Sequence, residues 1–219
     1  MTTDDVASGT RQRILVAAAE CITRDGFAQV RMATIAKEAG VSTALLHYHF
    51  DTKERLLAAV LTYSYETSSV LDQSALVHAD KTPADRLAAY LDRCLPIDEA
   101  LIHDWLLWQE VALVALRQPE LARIGADLYD RMYAAVADIV RDGVAAGDFA
   151  PCDADEVALA ALALADGLGT RVLSNDPRME LADARRIIAT TVGSLVGHDG
   201  PLPLPGVRTH GRPGVEALV

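Results

Sequence analysis

Apolar residues recur every three to four positions along most of the 219-residue chain, and the strict alternation that is typical of strands is nearly absent. The five prolines before residue 200 fall between these periodic stretches, as is expected at helix boundaries. The pattern therefore predicts an all-α fold. Its helices are predicted over residues 11–24, 32–38, 43–49, 53–78, 83–95, 99–117, 119–146, 154–174 and 180–197.

The segment from residue 35 to 53 has the residues of a helix-turn-helix. Gly40 can take the left-handed backbone conformation of a tight turn, and Ser42 is a natural N-cap for the helix over 43–49. Leu45 and Leu46 are predicted to face inward, and Phe50 to close the small core. The side chains left for the outer surface would face the major groove of DNA; these are Thr43, Ala44, His47 and Tyr48.

This segment resembles the N-terminal domain of the TetR family of transcriptional regulators, which typically reads I-A-x-x-A-G-V-S-x-G-x-L-Y-x-H-F-x-x-K-x-x-L. Eleven positions match in register over 22 residues: Ile35, Ala36, Ala39, Gly40, Val41, Ser42, Leu46, His49, Phe50, Lys53 and Leu56. The resemblance implies an N-terminal three-helix helix-turn-helix DNA-binding domain joined to a larger helical ligand-binding and dimerisation bundle. It also implies a homodimer, double-stranded DNA with an inverted-repeat operator, and a small-molecule effector.

The resemblance further implies a set of DNA-binding residues. Tyr48, His49 and Lys53 would hold phosphates, and the base edges would be met by Thr43, Ala44 and His47. Alternatives without DNA contact stay open, because Lys53 could be a solvated charge and Tyr48 a partly exposed core aromatic residue. The full predicted set is Arg31, Ser42, Thr43, Ala44, His47, Tyr48, His49 and Lys53.

Three residues depart from the family pattern. Ala44 replaces the usual Gly and adds a methyl group that could touch a thymine methyl. His47 replaces the usual Tyr, so a phosphate contact there would depend on imidazole protonation or move to Tyr48. Arg31 replaces the usual Ser or Thr cap of the second helix, which weakens that cap and favours a phosphate contact over base readout.

The helix predicted over 99–117 is apolar on almost every face, which is typical of a helix inside a bundle. His103, Glu110 and Arg117 form one polar stripe at seven-residue spacing, either solvated and salt-bridged or facing a ligand cavity. Aromatic residues at helical spacing could line that cavity or belong to the core. The predicted ligand-binding set is Tyr63, His103, Trp105, Trp108, Glu110, Tyr129 and Tyr133.

Residues 99 to 196 resemble the C-terminal domain of the BetI-like branch of the family. The resemblance rests on the stretch from Trp105 through Arg117-Gln-Pro-Glu-Leu121, on Asp166-Gly-Leu168 and on Arg171. The last two predicted helices carry apolar faces that suit a dimer-forming four-helix bundle, although the core of the chain itself could use both faces. Those faces are formed by Ala160, Leu164, Leu168 and Val172, and by Ile188, Thr191, Val192 and Leu195.

The net charge of −11 argues against nucleic-acid binding if it is taken for the whole chain, but the charge is unevenly distributed. Residues 1–55 carry seven basic and seven acidic side chains, whereas the remaining 164 residues carry 13 against 24. The acidity therefore belongs to the body alone. A neutral N-terminal segment can still bind DNA if its basic side chains point the same way.

Other classes of protein lack support in the sequence. No H-E-x-x-H or G-x-S-x-G motif and no phosphate loop after a strand occurs, so an enzyme is disfavoured, and no cofactor or metal is predicted. A helical adaptor that has lost DNA affinity stays open because of the three departures. The three cysteines are interpreted as packing residues, and no apolar run is long enough to span a membrane, so we expect a cytoplasmic protein.

Three regions follow from these patterns. Residues 1–52 are expected to form the helix-turn-helix domain, and residues 53–197 the ligand-binding and dimerisation domain. Residues 198–219 hold four prolines and four glycines and are expected to be a disordered tail.

Overall fold

The computed structural model describes residues 3–67 and 81–206, with side chains from residue 9 onward. These residues form helices and no strand, which confirms the all-α fold class. The helices are α1 (Thr3–Asp25), α2 (Met32–Glu38), α3 (Thr43–His49), α4 (Lys53–Thr67), α5 (Pro83–Arg93), α6 (Glu99–Ala115), α7 (Pro119–Ala146), α8 (Ala154–Leu173) and α9 (Leu181–Leu195). The continuation of α4 that the sequence predicts to residue 78 lies outside the described residues.

Most helix boundaries agree with the sequence pattern to within two residues, and α1 is the exception. It begins at Thr3 rather than at Arg11. The sequence pattern misses its first two turns because they are largely polar and show no apolar periodicity. Its end is confirmed: the chain leaves the helix through Gly26, whose φ of 77° is a left-handed conformation that glycine adopts freely.

Side-chain caps fix the starts of several helices. Thr82 and Asp85 form a reciprocal capping box at α5, in which the Thr82 Oγ1 accepts from the Asp85 amide at 3.1 Å. Asp153 caps α8 by accepting two amides of its first turn. Ser42 caps α3 as predicted, and Thr52 Oγ1 accepts the amide three residues further along α4.

The chain divides into two compact units. The first comprises residues up to Thr67 together with His103–Leu128, and within it α1 packs on α2 and α4 while α2 packs on α3. Its buried core includes Ile14, Leu15, Ala18, Cys21, Ile22, Ile35, Ala36, Leu46, Phe50, Leu56, Leu57, Val60 and Leu61. Residues 53–67 and 103–128, which the sequence assigns to the ligand-binding domain, thus belong to the same unit as the helix-turn-helix. The predicted functional boundary at residue 52 stays a prediction.

The second unit comprises the described residues of Ser68–Ile102 and of Tyr129–Val219. Helix α9 packs on α8 and α5, and α5 also packs on α8. An ion pair crosses this bundle: the Arg185 guanidinium donates to both carboxylate oxygens of Asp92, at 2.6 and 3.1 Å, and both side chains are largely buried. A buried pair of this kind fixes the register of α5 against α9.

The segment from residue 198 to 206 packs as an ordered strap on α9, so the expectation of a disordered tail is wrong for these residues. Leu202 is only 3% exposed and its amide donates to the carbonyl of Ala189 at 3.1 Å. The strap lies so close to α9 at Gly193 that an added Cβ would stand 2.8 Å from the carbonyl oxygen of Gly200. Arg185 also donates to the carbonyl of Pro205. Residues 207–219 lie outside the described part of the chain.

Candidate nucleic-acid interface and candidate ligand site

The turn between α2 and α3 has the geometry that its residues predict. Gly40 has a φ of 65°, and the Val41 amide donates to the carbonyl of Ala36 at 2.9 Å, which closes the end of α2. The Ser42 Oγ then accepts the amide of Leu45 at 3.1 Å and starts α3. The two short helices are therefore joined by a tight turn with satisfied backbone groups.

Helix α3 presents a polar outer face to solvent. Leu46 is fully buried and Phe50 nearly so, which confirms the predicted core positions. The prediction for Leu45 is wrong: its side chain is 38% exposed, and it lies about 100° around the helix from Leu46, which faces the core. The residues predicted for base contacts are all exposed, namely Thr43, Ala44 and His47.

Tyr48 is the most prominent side chain of this face, with 83% of its area exposed. His49 is half-buried and its ring meets the ring of Tyr48 edge to face, with the centroids 5.5 Å apart. Arg31 is exposed at the N-cap of α2 and makes no side-chain cap there, as predicted. The contacts of these residues with DNA stay predictions.

Lys53 lies at the start of α4 beside the turn that joins α1 to α2. Its Nζ stands 4.4 Å from the centre of the Phe27 ring and 3.5 Å from the carbonyl oxygen of Ala28. Partial burial lowers the pKa of this ammonium group, with the charge of Glu54 acting in the opposite direction. The side chain is thus held by an aromatic face rather than by a carboxylate, which leaves donor capacity for a phosphate.

Sequence reasoning missed Arg11 as a candidate for this surface. Its guanidinium lies 5.3 Å from the centre of the Phe50 ring, which places a cation next to the end of α3. Its distance in sequence from α3 hides the contact, because nothing local to residue 11 signals it.

Two residues of the predicted ligand-binding set, His103 and Glu110, contact the N-terminal helices. Glu110 Oε2 accepts the backbone amide of Phe27 at 2.8 Å, and His103 Nδ1 lies 3.3 Å from the Thr23 hydroxyl. The polar stripe is therefore neither simply solvated nor salt-bridged at these two positions. It is instead hydrogen-bonded to α1 and to the turn after it.

The remaining residues of the predicted ligand-binding set fall in both units. Tyr63 accepts a hydrogen bond from Gln12 at 2.9 Å, and Trp105 and Trp108 are half-buried, all within the first unit. Tyr129 and Tyr133 belong to the second unit. That all seven residues bind one ligand stays a prediction.

Tyr129 and Tyr133 form a cluster with Asp166, a residue that the predicted ligand-binding set lacks. The Tyr129 hydroxyl donates to Asp166 Oδ2 at 3.2 Å, and the two tyrosine rings stack with centroids 6.1 Å apart. Burial raises the pKa of the Asp166 carboxyl above its usual range, although the bond from Tyr129 acts in the opposite direction. Burial and the nearby Asp166 also raise the pKa of both tyrosines.

The charge of Asp166 is not balanced by a cationic side chain in the part of the chain that the structure describes. Its hydrogen-bond partner there is the neutral hydroxyl of Tyr129. A half-buried carboxylate against two stacked aromatic rings is the arrangement that attracts an organic cation, because the ring faces and the carboxylate are both negative. The signal in the sequence was the spacing of Tyr129 and Tyr133 on one helix face, whereas Asp166 comes from a different helix.

Within residues 3–67 and 81–206, no cluster of three or more His, Cys, Asp or Glu side chains is arranged to hold a metal ion. No helix among these residues is long and apolar enough to cross a membrane. Cys21 and Cys94 are buried thiols and Cys152 is half-buried, as expected for packing residues.

The tight turn at Gly40 and the exposed face of a capped α3 define a helix-turn-helix DNA-binding protein. Residues 14–60 match the profile of the bacterial regulatory proteins of the tetR family. Residues 83–197 match the profile of the C-terminal domain of BetI-type transcriptional repressors. The chain belongs to the TetR family of transcriptional regulators and carries a BetI-type C-terminal domain.

Individual relatives agree with this placement. The regulator BetI of Rhizobium meliloti is 31% identical over 164 residues, which cover 74% of this chain and 76% of that protein. The regulator TtgR of Pseudomonas putida is 28% identical over 204 residues, covering 88% of this chain and 94% of that protein. These relatives are transcriptional regulators rather than enzymes.

A similar solved structure is that of a transcriptional regulator from Saccharomonospora viridis in complex with choline. It superposes with a TM-score of 0.76 at 32% identity, covering 89% of this chain and 98% of that one.

Proposed function

We propose that this TetR-family regulator is a homodimeric repressor that binds an inverted-repeat operator in the cytoplasm and is released from it by a small organic cation. The observation that carries the DNA-binding part is the outer face of α3. This face is exposed to solvent along α3, and the Ser42 cap fixes where α3 begins.

On this surface the residues divide by what they can reach. Thr43, Ala44 and His47 lie along the exposed face of α3 and are assigned to base edges in the major groove. The side chains assigned to phosphates are Arg11, Arg31, Tyr48, His49 and Lys53. Phosphate contacts would set the position of the helix, and the base contacts would set the sequence that it reads.

Exposed apolar residues support dimerisation through α8 and α9. Leu159 is 56% exposed, and Ala160, Ala163 and Gly167 continue an exposed face of small side chains along α8. Leu195 is exposed near the end of α9. Exposure of such an apolar face to water is unfavourable, and a second copy of the chain would cover it. A twofold dimer would also place two copies of α3 on an inverted repeat.

This dimer face keeps Ala160 and Leu195 from the residues that the sequence suggests, but not all of the others. Leu168, Ile188 and Val192 are buried in the core of their own chain, so they are not available to a partner. The periodicity of the two helices identifies both apolar faces, but it does not say which face the intrachain core uses.

The cluster of Tyr129, Tyr133 and Asp166 supports an organic cation as the effector. A quaternary or primary ammonium group between the stacked rings and the carboxylate would balance a half-buried charge that no cationic side chain among the described residues compensates. Choline, which the Saccharomonospora viridis regulator was crystallised with, is a cation of this class. Tyr63, Trp105 and Trp108 belong to the first unit, and their role in ligand binding stays a prediction.

The DNA-binding part is tested by passing fragmented DNA, including the region upstream of the protein's own gene, over the purified full-length protein. The retained fragments should share an inverted repeat, and Tyr48→Ala should reduce their retention without changing the fold. A folded protein that retains no fragment above background would instead identify the helical adaptor without DNA binding.

The effector part is tested by calorimetric titration of choline, with its uncharged carbon isostere 3,3-dimethylbutan-1-ol as the matched control. Choline should bind and the isostere should not, because only the cation interacts with Asp166. The Asp166→Asn variant should lose choline binding. Equal binding of both compounds, or wild-type affinity in the variant, would remove this cluster from the effector site.

A further inference from the structure

The turn that joins α1 to α2 is held by a side chain from a distant helix. The backbone amide of Phe27 donates to Glu110 Oε2 at 2.8 Å, across 83 residues of sequence. Gly26 lies against the same carboxylate, since a Cβ added there would be in ordinary van der Waals contact with Glu110 Oε1, at 3.6 Å. The carboxylate thus fixes a backbone group that no cap of α1 or α2 satisfies.

The same residue, Phe27, also holds the side chain of Lys53. Its ring stands 4.4 Å from the Lys53 Nζ, and the carbonyl of Ala28 lies 3.5 Å from that atom. Glu110 fixes the backbone of residue 27, and residue 27 supports the ammonium group. A shift of this turn therefore moves the surface on which Lys53 rests.

Two further hydrogen bonds tie α6 to the helices around this turn. His103 lies on α6 two helical turns before Glu110, and its Nδ1 is 3.3 Å from the Thr23 hydroxyl of α1. The Ser64 hydroxyl of α4 donates to Asp104 Oδ1 at 2.8 Å. Helix α6 is thus hydrogen-bonded to α1, which ends two residues before Phe27, and to α4, which begins at Lys53.

We propose that Glu110 is a positioning residue for DNA binding, which acts by holding the turn at Phe27 so that Lys53 reaches a DNA phosphate. This inference rests on the proposed function, because it requires that the protein binds DNA and that Lys53 touches the backbone. Glu110 itself does not contact DNA in this arrangement.

The proposal predicts the opposite of what a simple charge argument predicts. Removing a carboxylate from a DNA-binding protein should raise its affinity for DNA, because one repulsive charge is lost. Glu110→Ala should instead lower the affinity several-fold, because Lys53 loses its support. It should also lower the slope of log affinity against log salt by about 0.9 per protomer, the value for one phosphate contact, and so by about 1.8 for the proposed dimer.

The experiment measures binding of the full-length protein to a fluorescent random-sequence duplex by anisotropy across a series of salt concentrations. The variants are Glu110→Ala, Glu110→Gln, Lys53→Ala and the double variant with Ala at both positions. Glu110→Gln should keep the wild-type slope, because the amide oxygen still accepts the Phe27 amide. The double variant should bind no more weakly than Lys53→Ala alone, since both changes remove the same contact.

Glu120→Ala is the matched control, because it removes an exposed carboxylate near the start of α7 that makes no such contact. Its salt slope should equal that of the wild type. Glu110→Asp serves as a second variant if Glu110→Ala does not fold, since the shorter side chain keeps the charge but withdraws the acceptor from Phe27. It should lower the slope as well.

The results separate this inference from the proposed function. A wild-type protein that does not bind DNA overturns both. A wild-type protein that binds, with an unchanged slope in Glu110→Ala or Glu110→Asp, overturns the role of Glu110 alone. Additive losses in the double variant also overturn it, because Glu110 and Lys53 would then act independently.

Discussion

Replacing Asp166 by Asn should make the protein more stable at neutral pH while it abolishes binding of the cation. The amide keeps the shape of the side chain, and its oxygen can still accept the Tyr129 hydroxyl that now donates at 3.2 Å. What the substitution removes is a charge that burial disfavours and that no described cationic side chain balances. Function, rather than stability, would then be the reason for a carboxylate at this position.

The expected gain follows from the surroundings of Asp166. Desolvating an ion costs several kcal/mol in a protein, and a hydrogen bond to a charged group returns about 1.5–3 kcal/mol. Asp166 has one such bond and is only partly buried, so the net penalty is of the order of 1 kcal/mol. In a chain of 219 residues this corresponds to a rise in Tm of about 2–4 °C.

The gain must depend on pH in one direction. Because burial raises the folded-state pKa of Asp166, the unfolded carboxyl ionises first as the pH rises past its usual value of about 4. The wild type therefore loses stability from that pH up to the folded-state pKa, and the penalty is complete above it. Below about pH 4 the carboxyl is protonated in both states, and the advantage of the variant should vanish.

Thermal unfolding of the wild type, Asp166→Asn and the control Asp127→Asn between about pH 3 and pH 8 tests this reasoning. Asp127 is an exposed carboxylate on α7, so its substitution should leave Tm unchanged at every pH. Choline should raise the Tm of the wild type and of the control, but not that of Asp166→Asn. A variant that is less stable than the wild type at neutral pH, or whose gain persists at the acidic end of the series, would refute the assignment of an unbalanced charge.

Four other changes have definite expected outcomes. Lys53→Ala should weaken binding to all DNA sequences and lower the salt slope by about one per protomer, and an unchanged slope in the anisotropy titration would remove Lys53 from the interface. Leu159→Glu should lower dimer stability and operator affinity together in sedimentation and retention assays, whereas Leu113→Glu, at an equally exposed position on α6, should not. Gly193→Ala should lower the free energy of unfolding by about 1–3 kcal/mol because its methyl group meets the strap, while Gly125→Ala, where the space is open, should raise it by about 0.5–1 kcal/mol in urea denaturation. Operator DNA should weaken choline binding by the factor with which choline weakens operator binding, about 5 to 150-fold for a coupling of about 1–3 kcal/mol, and equal choline affinities with and without DNA would exclude the switch.

The helix-turn-helix could be predicted from the sequence because its signals are local. Gly40 and Ser42 act on residues within four positions of themselves, and both have the conformation and the hydrogen bond that their types predict. Leu45 shows the limit of this reasoning. Leu56 and Leu57 are adjacent on α4 and both buried, whereas of the adjacent Leu45 and Leu46 on α3 only Leu46 is, and the pattern alone does not distinguish the two cases.

The contacts that define the candidate sites could not be predicted, because they join residues that are distant in sequence. Glu110 meets Phe27 across 83 positions, and Asp166 meets Tyr129 across 37. The polar spacing of Glu110 indicated that this side chain had a role, but a single sequence carries no information about its partner. The strap at Leu202 was missed for a related reason, since prolines and glycines are typical both of disorder and of an extended segment packed on a helix.

The charge distribution explains how an acidic protein can be a DNA-binding regulator. Of the seven basic side chains among residues 1–55, Arg24 and Arg55 form ion pairs with neighbouring carboxylates, whereas Lys53 and Arg11 lie against aromatic rings. An aromatic face holds a cation in place without cancelling its charge, so these two remain able to attract phosphate. Charges more than about 10 Å away are largely screened at physiological salt. Acidic side chains that lie farther from the DNA than this distance therefore weaken these contacts little at that salt, and their repulsion should be strongest at low salt.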